Sequence, residues 1–258
     1  MSTSSSILDK VGSYVFLAEP FHCDFSQCLT MGHLGNHLLN AADYHAAARG
    51  FGMVELAAMQ RSWVLSRLAI EVTAMPKAYD RFTVETWVEN AMRYFTNRNF
   101  AILAEDGTPI GYGRSVWAMI DTQTRQPQNI LQVHDGALED YVLKEKECPI
   151  AKSSRVKMGD DVTLCGEVKT GYSDIDVNGH VNSIRYIEHV LNLFPFSHHR
   201  DHPLQRFEIA YVAEAYAGDV LIFHRHQTDD HTWMVRLTTK HASNDEEKEV
   251  ARCALIFR

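Results

Sequence analysis

The sequence predicts an α+β protein in which one order of elements, a strand, a helix and four further strands, occurs twice. Each half has one segment with apolar residues near a 3.6-residue spacing, followed by four segments in which apolar and polar residues partly alternate. Between the halves, residues 126–161 hold two prolines and a mixed-charge run, which is typical of a linker. Residues 1–125 and 162–258 are therefore expected to be separate domains.

The predicted elements of the first half are a strand-like segment, a Gly/His-rich turn at residues 31–36 and a long helix. Small side chains on this helix would let a sheet pack closely around it, and Asp106-Gly107 is a strong hairpin signal between the last two strands. The predicted ranges are 13–25 for the first strand, 37–59 for the helix, and 62–74, 81–90, 95–105 and 108–120 for the later strands.

The second half is expected to repeat this order. Within the linker, one short helix is predicted near residues 135–143. The ranges that follow are 162–169 for a strand, 180–193 for a helix, 194–202 for a loop, and 203–214, 218–227, 232–241 and 249–257 for four strands.

Polar chemistry is concentrated directly before the second helix. Nine residues carry two carboxylates, two carboxamides and an imidazole, namely Asp174, Asp176, Asn178, His180 and Asn182. The first N–H groups of a helix lack internal partners and carry partial positive charge, so they favour an anion or a developing oxyanion. Asp and Asn are common at such positions as caps, but capping does not account for His180.

The string Asp176-Val177-Asn178-Gly179-His180-Val181-Asn182, followed by Tyr186-Ile187, resembles the active-site motif of plant and bacterial acyl-ACP thioesterases. That family has two hot-dog domains in one chain, each an antiparallel sheet wrapped around a central helix. The resemblance extends to residues 86–88, 98–100, 115–117 and 121–125. It implies hydrolysis of fatty acyl-ACP to free fatty acid and holo-ACP.

The resemblance also implies the catalytic residues Asp176, Asn178 and His180, with Glu214 on a strand thirty-odd residues downstream. Many plant members have a cysteine after this glutamate, whereas this chain has Ala215, so the chemistry is expected to proceed without a cysteine nucleophile.

A thioester needs a base to activate water, and Glu214 is the favoured base, with His180 as a relay or as the base itself. Asn178 is expected to orient water or thioester, and Asp176 to hold the turn and the imidazole. The backbone N–H groups of Val181 and Asn182 are the expected oxyanion clamp. Direct attack by a carboxylate, which would give an anhydride, is the alternative.

The resemblance implies that the first half holds the acyl chain in a tunnel. Met53, Leu56, Trp63 and Trp87 are the candidate lining residues, although apolar residues of this kind are more often plain core. An acyl-CoA thioesterase and a non-catalytic acyl-thioester-binding protein of the same fold remain as alternatives.

Composition limits the partners. A net charge of −8 argues against nucleic acid or an anionic membrane as the main partner, and an acidic carrier protein would need a local basic patch. Candidates for that patch are Lys77, Arg93, Arg98 and Arg114. Exposed strand edges make a homodimer plausible.

Five scattered cysteines without a CxxC pair, and a short polar start at residues 1–6, favour a cytoplasmic protein. No cofactor and no metal site are predicted. His33 and His37 lie four apart, as helical metal ligands can, but the sequence offers no matched third ligand.

Overall fold

The computed structural model describes residues 8–159, 162–240 and 246–258. The polar start at residues 1–6, the linker positions 160–161 and the predicted strand end at His241 lie outside this range. Within the described part of the chain, no helix has the length and apolar character needed to cross a bilayer.

The first half forms five strands and two helices, and the second half forms the same numbers, counted over the described residues. The first-half elements are β1 (Gly12–Leu17), α1 (Met31–Ala47), α2 (Met53–Ala58), β2 (Arg61–Val72), β3 (Arg81–Ala91), β4 (Phe95–Ala104) and β5 (Pro109–Asp121). The second-half elements are β6 (Thr163–Lys169), α3 (Ser183–Leu191), α4 (Phe196–Asp201), β7 (Leu204–Tyr211), β8 (Val220–Gln227), β9 (Thr232–Lys240) and β10 (Glu247–Phe257). The predicted α+β class is confirmed.

The helix predicted at residues 37–59 is wrong at both ends. It begins at Met31 because Thr30 caps it, accepting a hydrogen bond from His33 N at 3.3 Å, so the expected turn at 31–36 is helical. It ends at Ala47, since Gly50 has a φ of +80° that only glycine adopts without strain. Gly52 then caps the separate short helix α2.

Three second-half boundaries also differ from prediction. Helix α3 begins at Ser183 rather than at residue 180, because Asn182 Oδ1 accepts from Ile184 N at 2.8 Å and caps it there. The expected loop at 194–202 contains α4. Strand β7 ends at Tyr211, so Glu214 follows the strand instead of lying on it.

The linker helix is a pair of 3₁₀ turns within Ile130–Tyr141, not an α-helix. His134 and Asp135 have positive φ values of 49° and 54°, which break the helical hydrogen-bond pattern between the two turns.

One antiparallel sheet of ten strands, counted over the described residues, runs through both halves in the order β1-β3-β4-β5-β2-β7-β10-β9-β8-β6. The five strands of each half are neighbours. Pairing of β2 with β7, with Leu68 opposite Ile209, joins the two halves into one sheet. The turn after β5 and the segment after β7 are in contact, through Arg125 and Glu214.

Helices α1 and α3 pack together inside the main apolar core. That core includes Leu34 and Leu38 of α1 and Ile187 of α3, all fully buried against the sheet. A Cβ at Gly35 would lie 2.7 Å from Ile184 Cδ1, so the absence of a side chain there lets the helices approach closely.

The linker covers the other face of the first-half sheet. Arg114 donates from Nε to Ile150 O at 3.0 Å and from Nη2 to Cys148 O at 2.6 Å, which attaches the linker to β5. Trp87 is completely buried with Ala101 beneath this segment. Because side chains alternate along β3, Trp87 faces away from the helix side to which Val84 points.

Candidate active site

The turn before α3 is organised by the carboxylate of Asp176. Asp176 Oδ1 accepts hydrogen bonds from Asn178 N at 2.8 Å and His180 N at 3.3 Å. Its backbone N–H donates to His180 O at 2.8 Å, which closes the turn. Gly179 has a φ of +80°, a conformation that glycine adopts at little cost. Asp176 therefore holds the loop that presents His180 and the exposed side chain of Asn178.

His180 faces Glu214 across this turn. His180 Nε2 lies 3.4 Å from Glu214 Oε2, and the two side chains are 21% and 30% exposed. A backbone hydrogen bond from Val181 N to Ala215 O, at 2.8 Å, ties the turn to the segment after β7. The pair is therefore held by the backbone yet still open to solvent.

Tyr216 completes the second-half part of the site. Its hydroxyl donates to Glu214 Oε2 at 3.3 Å, and its ring meets the imidazole of His180 edge-on with centroids 5.2 Å apart. Burial, together with the nearby Glu214 carboxylate, raises the pKa of Tyr216. The phenol thus stays protonated at neutral pH and remains a donor.

Arg125 reaches this site from the first half. Its Nη2 forms an ion pair and hydrogen bond with Glu214 Oε1, on the oxygen opposite to the one that faces His180. Arg125 has a φ of +59°, a sparsely populated conformation for a residue with a side chain, in the turn after β5. Arg125 was not predicted as a site residue from the sequence, although it ends the segment 121–125 that carries part of the resemblance.

The prediction of an oxyanion clamp at Val181 and Asn182 is wrong for this structure. The N–H of Val181 donates to Ala215 O and that of Asn182 donates to Asp174 O, both at 2.8 Å. These two donors are already satisfied within the protein. A donor for an oxyanion must therefore come from another group.

The four predicted lining residues do not share one tunnel. Trp87 is on the sheet face away from the helices and donates from Nε1 to Lys146 O at 3.1 Å, so its assignment is corrected. Met53 is 54% exposed on α2. Leu56 is fully buried and Trp63 packs against the same small cluster, which lies between α2, the paired ends of β2 and β5, and the linker.

Two of the four candidates for a carrier-binding patch are inside the protein. Arg98 is buried, and burial lowers its pKa to about 10. Arg114 is occupied by the linker and by Glu89, at 2.8 Å. Lys77 and Arg93 are exposed and remain accessible to a partner.

The first half contains the same turn without the same chemistry. Asp24 Oδ1 accepts from Ser26 N at 2.8 Å, and Asp24 N donates to Cys28 O at 2.9 Å, as Asp176 does in the second half. Leu29 N then donates to Pro76 O at 2.8 Å, matching the bond from Val181 to Ala215. The structural equivalent of His180 is thus Cys28.

The residue before Pro76 is Met75, which occupies the place of Glu214. The first-half turn therefore lacks both the imidazole and the carboxylate, and the polar pair exists in the second half alone among the described residues.

Two halves built on one sheet, each with a central helix, define a protein of double hot-dog fold, and the carboxylate–imidazole pair beside their junction is its candidate active site. Two family models match the chain, one in each half. The acyl-ACP thioesterase N-terminal domain matches residues 16–135, and the acyl-ACP thioesterase C-terminal domain matches residues 158–258. The chain belongs to the acyl-ACP thioesterase family.

Among solved structures, an acyl-ACP thioesterase from Bacteroides thetaiotaomicron is 49% identical, with a TM-score of 0.88 over 96% of this chain and 98% of that chain. The 12:0-ACP thioesterase from Umbellularia californica shares the fold, with a TM-score of 0.80 over 98% of this chain and 99% of that chain, at 20% identity.

A palmitoyl-acyl carrier protein thioesterase of Gossypium hirsutum is 27% identical over 82% of this chain and 54% of its own length. An oleoyl-acyl carrier protein thioesterase of Arabidopsis thaliana is 25% identical over 80% of this chain and 61% of its own length. The chain thus spans between half and two thirds of the length of these curated relatives.

Proposed function

We propose that this chain hydrolyses the thioester of a fatty acyl group carried on acyl carrier protein, releasing free fatty acid and holo-ACP. The observation that carries the proposal is the pair of His180 Nε2 and Glu214 Oε2, 3.4 Å apart at a solvent-open junction of the two halves. Relatives named for palmitoyl-, oleoyl- and dodecanoyl-ACP substrates support the substrate class.

In this mechanism Glu214 accepts a proton from water as the water oxygen forms a bond to the thioester carbonyl carbon. The C–S bond of the resulting tetrahedral intermediate then breaks, and the carrier thiolate takes up a proton. His180 holds the water against Glu214 and can return the proton to the sulfur. Arg125 and Tyr216 hold the carboxylate in place through its two oxygens.

The oxyanion needs a donor that is not already used. The carboxamide of Asn178 is the group we assign, because its side chain is exposed beside His180 while its backbone N–H is used by Asp176. Such a donor contributes by meeting charge that develops only in the transition state.

The acyl chain is assigned to the small cluster that contains Leu56 and packs against Trp63. The cluster includes Met119 near the end of β5, and the turn that follows β5 carries Arg125. An alkyl chain bound there would leave its thioester close to Glu214. Leu56 and Trp63 remain in the proposed binding region, whereas Trp87 does not.

The test is release of thiol from acyl-ACP and acyl-CoA of matched chain length, using wild type, Glu214→Gln and His180→Asn. Loss of a positioned base is expected to lower kcat by about 10²–10⁴-fold. Cys28→Ser is the matched control, because it alters the equivalent position of the first-half turn and should keep full activity.

Binding of acyl thioesters without turnover by wild type would make the chain a binding protein instead of an enzyme. Faster cleavage of acyl-CoA than of acyl-ACP would indicate an acyl-CoA thioesterase instead. Undiminished kcat in both variants would keep the reaction but reject these residues.

A further inference from the structure

His37, on the core-facing side of α1, is a buried histidine with unsatisfied nitrogens. Its relative exposure is 9%, and neither Nδ1 nor Nε2 has a hydrogen-bond partner within the described part of the chain. The ring packs between Phe16, with centroids 4.6 Å apart, and Phe82, at 5.4 Å. Buried polar atoms in native proteins normally have a partner, so a missing one needs an explanation.

The second half shows how the same position is satisfied elsewhere in this fold. His189 lies seven residues after the cap Asn182, as His37 lies seven residues after the cap Thr30. In the second half, His189 Nε2 is 2.9 Å from Asp174 Oδ1. The histidine there has an acidic partner.

In the first half, the position of Asp174 is occupied by another histidine. Each residue ends a short 3₁₀ turn two residues before the aspartate of the repeated loop, Pro20–His22 in one half and Tyr172–Asp174 in the other. His22 replaces the acid, and Glu19 brings a carboxylate to the same place.

The three groups converge on one point. Glu19 Oε2 is 3.2 Å from His22 Nδ1 and 3.7 Å from His37 Nε2, and the three ligand atoms all lie within 4.8 Å of one another. Ligand atoms around a tetrahedral Zn²⁺ at 2.0–2.2 Å are about 3.3–3.6 Å apart, so a small movement of one imidazole completes the geometry.

We propose that Glu19, His22 and His37 form a binding site for one divalent transition-metal ion, with Zn²⁺ as the preferred ion. Two imidazoles and a carboxylate are a ligand set typical of zinc. The side chains of His22 and Glu19 are 42% and 43% exposed, which gives the ion an entry path and leaves the fourth position to water.

The surroundings leave the imidazole of His37 available as a ligand. The ring is fixed between Phe16 and Phe82, and neither of its nitrogens has a hydrogen-bond partner among the described residues, so Nε2 can bind an ion. His33 stacks on His22 with centroids 4.1 Å apart and bonds through Nδ1 to Thr30 Oγ1 at 2.8 Å, so it orients His22 instead of binding the ion.

The ion would link the Pro20–His22 turn to α1. It would bind His37 as Asp174 binds His189 in the second half. In the sequence, His33 and His37 lie four apart, but no third ligand was found and no metal site was predicted. The sequence could not reveal that Glu19 and His22 are the partners. None of the three ligands belongs to the His180–Glu214 pair, so the site is independent of the proposed hydrolysis.

The test uses the full chain, stripped with a chelator and dialysed, then titrated with ZnCl₂ by calorimetry and with CoCl₂ by visible absorption. Wild type is expected to bind one ion per chain, to show the visible bands of tetrahedral Co²⁺, and to gain Tm with Zn²⁺. Loss of a residue that only orients a metal ligand typically lowers metal affinity by roughly 10–100-fold. Glu19→Gln and His22→Gln each remove a ligand and should raise the Kd by more than that.

His231→Gln removes an exposed histidine and is the control for nonspecific binding to the 14 histidines of the chain. It should bind as wild type does. Glu19 and His22 are half-buried, so their variants are expected to fold even where His37→Gln does not. Absence of stoichiometric binding by wild type, or equal Kd in wild type and both ligand variants, would overturn the proposal.

Discussion

Arg125→Met separates a positioning role from a stabilising one. The wild-type guanidinium contacts Glu214 Oε1, while the other oxygen faces His180 and Tyr216. The side chains of Arg125 and Glu214 are 45% and 30% exposed. Because water screens such a pair, its loss should cost only about 0.2–1 kcal/mol of folding free energy. In a chain of this size, that corresponds to a Tm decrease of at most about 4 °C.

The effect on catalysis should be much larger. Without Arg125, the carboxylate keeps one hydrogen bond, from Tyr216 at 3.3 Å, and can rotate away from the water that it activates. A misplacement of about 1 Å can cost on the order of 10²-fold in rate, so kcat is expected to fall by about 10–100-fold with a small change in KM.

The assay is steady-state thiol release from acyl-ACP, alongside thermal unfolding of the same preparations. Arg155→Met removes an exposed arginine and serves as the control, with unchanged kcat. An unchanged kcat in Arg125→Met, or a Tm decrease large enough to account for the lost activity, would refute the positioning role.

Two further predictions concern folding. Gly35→Val should lower the free energy of unfolding in urea by about 1–3 kcal/mol, because even a Cβ at this position would lie 2.7 Å from Ile184 Cδ1. Gly35→Ala adds only that Cβ and should cost less. Equal stability of the two variants would contradict the close contact between the helices. Burial, with Arg98 and Arg49 nearby, lowers the pKa of His45 in the folded protein to about 3. As the pH decreases from 6.5 towards 3, His45 therefore takes up a proton in the unfolded chain but not in the folded one, so the free energy of unfolding should fall over this range. His45→Leu should flatten this pH dependence, and an unaltered slope would show that other groups cause it.

The polar turn of the candidate site could be predicted from the sequence because its residues are close together in the chain. Asp176 and His180 belong to one turn, and the hydrogen bonds of that turn are local. Glu214 was placed by resemblance, and the structure brings it to His180 although its strand ends earlier than expected. Arg125 was missed, since no pattern in a single sequence reports contact between a turn in one half and a loop in the other.

The misassignment of Trp87 has a similar cause. Strand β3 is buried on both faces, by the helices on one side and by the linker on the other, so hydrophobicity does not tell which face a side chain occupies. The repeated turn could not be recognised in the sequence either. Asp24 and Cys28 keep its backbone hydrogen bond, but the side chains at the positions of His180 and Glu214 are different.

The sequence by itself determined the class of secondary structure, the duplication of the element order and the location of the polar turn before α3, because each is encoded in short-range periodicity and local hydrogen bonding. Only the tertiary structure decided which distant groups meet. The pairing of β2 with β7 joins the halves, which lets Arg125 reach Glu214, and the packing of α1 beside the Pro20–His22 turn sets His37 against Glu19 and His22. These contacts depend on the simultaneous placement of elements far apart in the chain, so they exist only in the folded protein.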